Sequence, residues 1–277
     1  MPVYGAQHAY AGQQSAFIDL PEGTYSNGAY LSNLALVEIY FSYRVYVIDG
    51  GGSDPDPHQV KFGRVTSAAV DVVHGSPGIG MTVGGTLQDG NGMWYNGGSA
   101  ENETFYGHRP PLGQWARIEH YLKLSSPAGT ANGKRWAKLN HQGSMTFSSF
   151  PGGHFADPYA TGIDPDAYDG ADLVTLTDDA DADVLNNVLL PFFTRTGQIV
   201  SIWVDEVYVD STQARVELGD APAWSDCTSR SPQPPLAWAD AEVTVRLNQG
   251  TLSGDAYAFV VTTEGEIIEL GPIGSWP

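Results

Sequence analysis

The sequence of 277 residues contains a single cysteine, Cys227, so the chain cannot form a disulfide within itself. Basic residues are also few, 13 against 32 acidic residues, which leaves a formal net charge of −19. A field of that sign repels nucleic acid and anionic membranes, so we expect neither as a partner. No run approaches the roughly 20 apolar residues of a membrane-spanning helix, and no signal peptide is visible at the start of the sequence.

The chain also lacks the short motifs that identify common enzymes, such as G-x-S-x-G, G-x-G-x-x-G, H-E-x-x-H and paired C-x-x-C. The seven histidines are scattered singly, which argues against a zinc site. We therefore expect no required cofactor. Calcium is the exception to consider, because Asp164, Asp166 and Asp169 lie in an aspartate-rich loop and calcium prefers oxygen ligands. The alternative is a solvated acidic loop in a salt-adapted protein.

The residue types that are abundant in the chain favour β-structure. The chain has 33 glycines, 18 prolines and 31 aromatic residues, which favours many short strands separated by turns. In residues 37–47 the odd positions are apolar and the even positions are polar or aromatic, and residues 115–124 repeat this alternation. His120 is the misfit on the apolar side of the second segment, where we expect a satisfied buried histidine rather than a ligand.

Further segments complete the prediction of the fold. A strand at residues 135–141 follows an Asn-Gly turn, and residues 199–209 form a largely apolar strand that we expect to be buried on both faces. Many short strands predict a two-sheet antiparallel sandwich. Prolines cluster within residues 220–238, which predicts a main domain over residues 1–222 and a small C-terminal β module over residues 223–277. With fewer than about 60 residues the module is a marginal independent fold, so we expect it to pack on the main sandwich or on a neighbouring subunit.

If the two alternating strands are neighbours, their polar and aromatic positions form one concave face. Aromatic rings stack on sugar rings, and arginine and lysine bind carboxylate or sulfate groups. The alternative is a solvent-exposed face on which the arginines of the two strands pair with Glu38 and Glu119. The carbohydrate-binding residues that this face predicts are Tyr40, Arg44, Tyr46, Trp115, Arg117, Tyr121 and Lys123.

Three segments carry a resemblance to a known group of proteins: YFSYRVY at residues 40–46, KFGR at residues 61–64 and WARIEHYLK at residues 115–123. With the Asn-Gly turn at residues 132–133, Trp136, and residues 204–210 and 214–217, they resemble the concanavalin A-like jelly rolls of polysaccharide lyases and related lectin-like proteins. The resemblance covers roughly residues 17–220. It implies an all-β, two-sheet antiparallel jelly-roll sandwich, with the C-terminal module beside it.

The resemblance to lyases implies a chemistry, β-elimination at a uronate. In such a lyase Arg117 or Arg44 would neutralise the sugar carboxylate. Tyr121 would act as base or acid, and Lys123 or Lys61 would assist.

Three classes of function are therefore open: a non-catalytic carbohydrate-binding or surface protein, a polysaccharide lyase, and a purely architectural subunit of an assembly such as a virion. The lack of a visible export signal fits a phage structural or decoration protein released by lysis, and it also fits a mature fragment whose leader was removed. We predict a lectin-like structural protein, outside the cell or on a virion surface. Its predicted partners are a glycan and either further copies or a larger protein assembly. A lyase acting on a uronate-containing polysaccharide is the alternative, and whether the protein is an enzyme stays open.

Overall fold

The computed structural model describes part of the chain. The described residues are 3–5, 7–12, 14–20, 30–49, 59–66, 80–86, 94–97, 103–105, 110, 112–127, 130, 132–139, 184–191, 193–194 and 199–276. The candidate calcium ligands Asp164, Asp166 and Asp169 lie outside these residues. Within the described residues, no helix has the length and apolar character needed to cross a membrane.

Six strands, numbered in chain order, form what we call the main sheet. In spatial order they are β1 (Val3–Gly5), β2 (Ser15–Leu20), β13 (Val200–Asp210), β4 (Glu38–Asp49), β9 (Trp115–Lys123) and β10 (Lys134–Leu139). All of its pairings are antiparallel. The two alternating segments of the sequence become β4 and β9, and they lie side by side as interior strands of the sheet.

A second antiparallel sheet, the back sheet, packs on one face of the main sheet. Its strands are β3 (Tyr30–Leu31), β11 (Asn187–Leu189), β5 (Gln59–Thr66), β6 (Gly80–Thr86), β7 (Trp94–Gly97) and β8 (Glu103–Phe105), with β12 (Phe193–Thr194) also pairing with β5. The core between the two sheets follows the alternation of the sequence, because odd positions of β4 and even positions of β9 point into it. Its members include Ile39, Phe41, Tyr43, Val45, Ile118, Leu122, Ile202, Phe62, Val65 and Val188.

The remaining strands form a C-terminal sheet and a hairpin. The C-terminal sheet runs in the order β15 (Arg230–Gln233), β14 (Arg215–Gly219), β18 (Gly254–Val261) and β19 (Ile267–Trp276). The hairpin consists of β16 (Pro235–Ala239) and β17 (Glu242–Val245), and one 3₁₀ turn spans Trp224–Asp226. The all-β antiparallel sandwich predicted from the sequence is confirmed.

The C-terminal sheet covers the other face of the main sheet, so the centre of the molecule has three layers. Contacts between Arg117 on β9 and Glu217 on β14 join the two sheets. The predicted division into residues 1–222 and 223–277 stays a prediction. Strand β14 precedes residue 222 but is a strand of the C-terminal sheet.

A β-bulge in β13 shapes the contact between these layers. The pairing of β13 with β4 shifts between Asp205 and Tyr208, because β13 carries one more residue there than its partner. Glu206 lies in the bulge with φ of 49°, in the left-handed region that non-glycine residues rarely adopt. The bulge leaves the side chain of Glu206 between the main sheet and the C-terminal sheet, where it contacts Arg44 and Ser231.

Candidate functional site

The seven predicted carbohydrate-binding residues lie on one face of the main sheet. In the pairing of β4 with β9, Tyr40 is opposite Tyr121 and Arg44 is opposite Arg117. Directly opposite residues of an antiparallel pair point to the same side of the sheet. The condition for a shared face, that the two strands are neighbours, is therefore met.

The middle of that face is covered by the C-terminal sheet, which corrects the premise that the face is open. Tyr40 is fully buried, and Arg117 and Tyr121 are each 1% exposed. Arg44 is 5% exposed. The other three predicted residues are Tyr46 and Trp115, which are half-buried, and Lys123, which is exposed.

The centre of the covered face is a carboxylate shared by arginines. Glu217 on β14 receives two hydrogen bonds from Arg117, from Nη1 to Oε2 at 2.8 Å and from Nη2 to Oε1 at 3.1 Å. Arg215 donates from Nε to Oε1 of Glu217 at 2.5 Å, and Nε of Arg230 lies 3.6 Å from its Oε2. We call Arg117, Arg215, Glu217 and Arg230 the arginine cluster.

Burial and neighbouring charges shift the pKa values of the arginine cluster in opposite directions. Burial alone would raise the pKa of Glu217, but the guanidinium groups of Arg117 and Arg215 hold it well below its ordinary value. Burial would likewise lower the pKa of Arg117, but Glu119 and Glu217 hold it above its ordinary value. The ion pairs are therefore fully charged at neutral pH, and they bind the two sheets together.

Tyr40 and Glu119 extend this network along the main sheet. The hydroxyl of Tyr40 donates to Oε1 of Glu119 at 2.9 Å and accepts from Nη2 of Arg117 at 2.9 Å. The guanidinium of Arg215 lies over the Tyr40 ring, 4.1 Å from its centroid. Burial raises the pKa of Tyr40, so its hydroxyl stays protonated.

The second predicted arginine has its own partners. Nε of Arg44 lies 3.1 Å from Oε2 of Glu206, the bulge residue, and its Nη2 donates to the main-chain oxygen of Arg230 at 2.8 Å. The alternative interpretation of the face, a set of ion pairs, is therefore closer to the structure than an open platform. Glu119 lies 3.5 Å from Arg117 as that interpretation expected, but the pairs are buried and their main acceptors are Glu206 and Glu217.

The residue predicted to transfer a proton, Tyr121, is also engaged. Its hydroxyl donates to Oε1 of Glu38 at 2.8 Å, and the same carboxylate oxygen accepts from the main-chain nitrogen of Gln213 at 3.3 Å. Lys61 lies in β5, which belongs to the back sheet and not to the sheet that carries Tyr121. The structure therefore brings Arg44, Arg117 and Tyr121 together on one face, without Lys61.

One end of the same face is aromatic and only partly covered. Adjacent positions on four neighbouring strands carry Phe17, Trp203, Tyr46 and Trp115. We call these four residues the aromatic end.

The N-terminal segment packs over the aromatic end. His8 stacks on Tyr46 with ring centroids 4.2 Å apart, and the Tyr10 ring lies 5.7 Å from that of Trp115. The main-chain nitrogen of Tyr10 donates to Oδ2 of Asp205 at 2.8 Å and holds the segment in place. Tyr46 and Trp115 remain partly exposed, and a sugar ring can stack on such surfaces.

His120 lies on the core side of β9, as its position in the alternation predicted. The prediction that it is satisfied is wrong, because both ring nitrogens are buried without a hydrogen-bond partner in the part of the chain that the structure describes. Its ring stacks on Phe41 with centroids 4.3 Å apart. Burial lowers the pKa of His120 to about 3, so the ring is neutral at physiological pH.

The sequence analysis missed the residues that cover the face. Arg215 and Glu217 stand two positions apart, a spacing that places two side chains on one side of a strand. That spacing was a usable signal for a charged strand face. The main-sheet partners of these residues are about 100 residues away in the chain, and no local pattern could identify them.

A scan against protein-family models finds no match, and a search of curated proteins finds none either. Among solved structures, the chain is similar to the cellulose-induced protein Cip1, with 16% identity, 76% of this chain and 86% of that chain covered, and a TM-score of 0.45. It is similar to the alginate lyase Aly36B in complex with an alginate trisaccharide, with 14% identity, 75% and 80% covered, and a TM-score of 0.40. It is also similar to the alginate lyase vAL-1 from Chlorella virus, with 11% identity, 76% of this chain and 89% of that chain covered, and a TM-score of 0.39. Two of these three proteins are alginate lyases by name.

Proposed function

We propose that this protein is a non-catalytic, lectin-like structural protein of an extracellular or virion surface, which contacts a glycan through its aromatic end. The observation that carries the proposal is the burial of the charged face. Arg117 is 1% exposed and bound at two points to Glu217 of the C-terminal sheet. The face serves to hold layers of the protein together.

The burial of the same residues argues against the lyase alternative. A lyase needs a cation that meets the sugar carboxylate and a group that reaches the C5 proton. Arg117 and Tyr121 have almost no exposed surface, and their polar atoms are bonded to Glu217 and Glu38. Tyr40 keeps its proton because burial raises its pKa. These features support a structural role for the charged face.

The aromatic end is the part of the predicted sugar face that a glycan can reach. Tyr46 and Trp115 are half-buried, and Phe17 and His8 beside them are also partly exposed. Lys123 is exposed but stands at the opposite end of β9, eight residues from Trp115, which is roughly 26 Å along a strand. Lys123 therefore cannot share one small sugar site with the aromatic end.

Two measurements test the proposal. Elimination at a uronate creates an unsaturated sugar that absorbs ultraviolet light, so absorbance is followed during incubation with a panel of uronate polysaccharides. We expect a flat trace on each of them. Binding of oligosaccharides of the same polymers is then measured by titration calorimetry, and we expect binding that Trp115→Ala weakens.

Trp238→Ala is the matched control, because Trp238 is another partly exposed tryptophan and lies on the hairpin, outside the main sheet. A rising absorbance that Arg117→Ala abolishes would replace the proposal with the lyase alternative. Flat absorbance together with no binding of any oligosaccharide would remove the glycan from the proposal.

A further inference from the structure

The hairpin of β16 and β17 is a two-stranded ribbon without a third strand among the described residues. Its side chains are mostly exposed, and Leu236 and Trp238 are 60% and 46% exposed. Two-stranded hairpins on their own are marginally stable in water and gain stability from a further strand or an apolar surface. The outer edge of β17 is available for such a strand.

Strand β19 offers an edge to which a strand such as β17 can add. It is the last strand of the C-terminal sheet, so its outer edge pairs with no strand of the described part of the chain. Ile268 and Leu270 are 48% and 57% exposed along it. Its regular pairing with β18 runs from Ile267 to Glu269, after which bulges interrupt the strand. That stretch suits a strand as short as β17, which has four residues.

The end of β17 and the start of β19 carry opposite charges. Arg246, directly after β17, is the one basic residue among positions 231–277, and it is exposed. Glu266, directly before β19, is exposed as well. Neither side chain has an ion-pair partner among the described residues. The rest of the protein is strongly acidic, so a contact between copies needs a place where opposite charges meet.

We propose that β17 of one copy adds to the edge of β19 of the next copy, in antiparallel orientation. Antiparallel pairing places the C-terminal end of β17, with Arg246, beside the N-terminal end of β19, with Glu266. The added strand brings main-chain hydrogen bonds, and the apolar side chains of the hairpin cover Ile268 and Leu270. The inference rests on the proposed structural role and names the partner as a second copy.

The contact cannot close within one chain. The hairpin follows β15 at one edge of the C-terminal sheet, and β19 forms the opposite edge. Each copy therefore offers one hairpin and one edge, so two copies can exchange hairpins reciprocally in a dimer, or further copies can link head to tail in rings or filaments.

Sedimentation velocity of the full chain over a range of concentrations tests this inference. We expect the wild type to form oligomers as concentration rises. Arg246→Glu and Glu266→Arg each place like charges at the contact, and each should weaken association by about tenfold or more. An equimolar mixture of the two variants should associate again, because each variant's hairpin then meets the opposite charge on the other's edge. The double variant R246E/E266R should associate by itself.

Asp226→Arg is the control for a change from acid to arginine, because Asp226 is exposed on the 3₁₀ turn, outside both strands. It should leave association unchanged. A wild type that stays monomeric would overturn the inference and leave both strands to a different partner. Weakening by E266R but not by R246E would overturn it in favour of β19 pairing with β19. Oligosaccharide binding by R246E should equal that of the wild type, so loss of assembly and loss of glycan binding are separable.

Discussion

Arg117 and Glu217 form a two-point ion pair between the main sheet and the C-terminal sheet, with nitrogen–oxygen distances of 2.8 and 3.1 Å. They are 100 residues apart in the chain, and both side chains are almost wholly excluded from water. A pair of this kind contributes little compared with an apolar contact of the same size, but losing one partner is costly. The pair therefore commits the two sheets to one relative position.

Replacing Glu217 should destabilise the protein more than replacing Arg117. Glu217→Gln removes the carboxylate that Arg117, Arg215 and Arg230 share and leaves the charge of Glu119 beside Arg117 and Arg215, whereas Arg117→Met leaves Glu217 two arginines. We expect a cost of about 3–5 kcal/mol for Glu217→Gln, and a smaller one for Arg117→Met. Urea unfolding measures both. Glu264→Gln, at an exposed carboxylate, is the control and should leave the unfolding midpoint unchanged, and equal costs for the two buried changes would contradict the shared-carboxylate arrangement.

The fold was predictable where the pattern is local. Alternation in residues 37–47 assigned the right side chains of β4 to the core, because neighbouring side chains of a strand must point in opposite directions. The same rule assigned Arg44 and Arg117 to the polar face of their own strands, and the pairing of the two strands brings them to one face of the sheet. The order of the strands was not predictable in this way, since pairing between distant segments leaves no local trace.

Sequence reasoning did not predict that the C-terminal sheet covers the face that carries Arg44 and Arg117. Residues 214–217 were grouped with the main sandwich, but Arg215 and Glu217 stand on a strand of the C-terminal sheet. The position of the Glu206 side chain was not predictable either, because a one-residue bulge shifts the alternation of β13 and no local signal in the sequence marks the bulge. An alternating strand in the sequence is usually taken to have one side in water, and here both sides are covered.

His120 should make the protein sensitive to mild acid. Its pKa is lowered by burial to about 3, while in the unfolded chain it takes up a proton below about 6.5, so the unfolded state binds more protons in between. The stability of the wild type should fall as pH drops below 6.5, by about 1.4 kcal/mol per pH unit relative to His120→Phe. Urea unfolding of both proteins between pH 7 and pH 5 measures the difference. Parallel pH profiles would show that the ring is not neutral in the folded state.

Gly219 occupies a position where a methyl group does not fit. A Cβ added there would lie 2.5 Å from Sγ of Cys227 and 3.0 Å from Cε2 of Phe259. Gly219→Ala should cost about 1–3 kcal/mol through overpacking. Cys227→Ala removes the closest atom, so the double variant should be less destabilised than the sum of the single variants. Urea unfolding of the four proteins measures this coupling, and simple additivity would contradict the contact.

Trp115→Ala should weaken oligosaccharide binding without unfolding the protein. Trp115 is half-buried at the start of β9, and the loss of one stacking ring should cost about 1 kcal/mol or more, a factor of at least five in Kd. Titration calorimetry measures the change, with circular dichroism to confirm the fold. Trp238→Ala should bind as the wild type does, and a loss of binding there rather than in Trp115→Ala would move the glycan to the hairpin.

The three-layer centre also determines the order in which the strands become exposed to solvent when the protein unfolds. All seven residues from Ile39 to Val45 are buried, apolar side chains under the back sheet and polar ones under the C-terminal sheet. A strand held from above and below cannot exchange its amide protons with solvent until one of the outer layers has lifted. Among the described strands, β4 should therefore exchange its amide protons later than the strands of whichever outer sheet opens first.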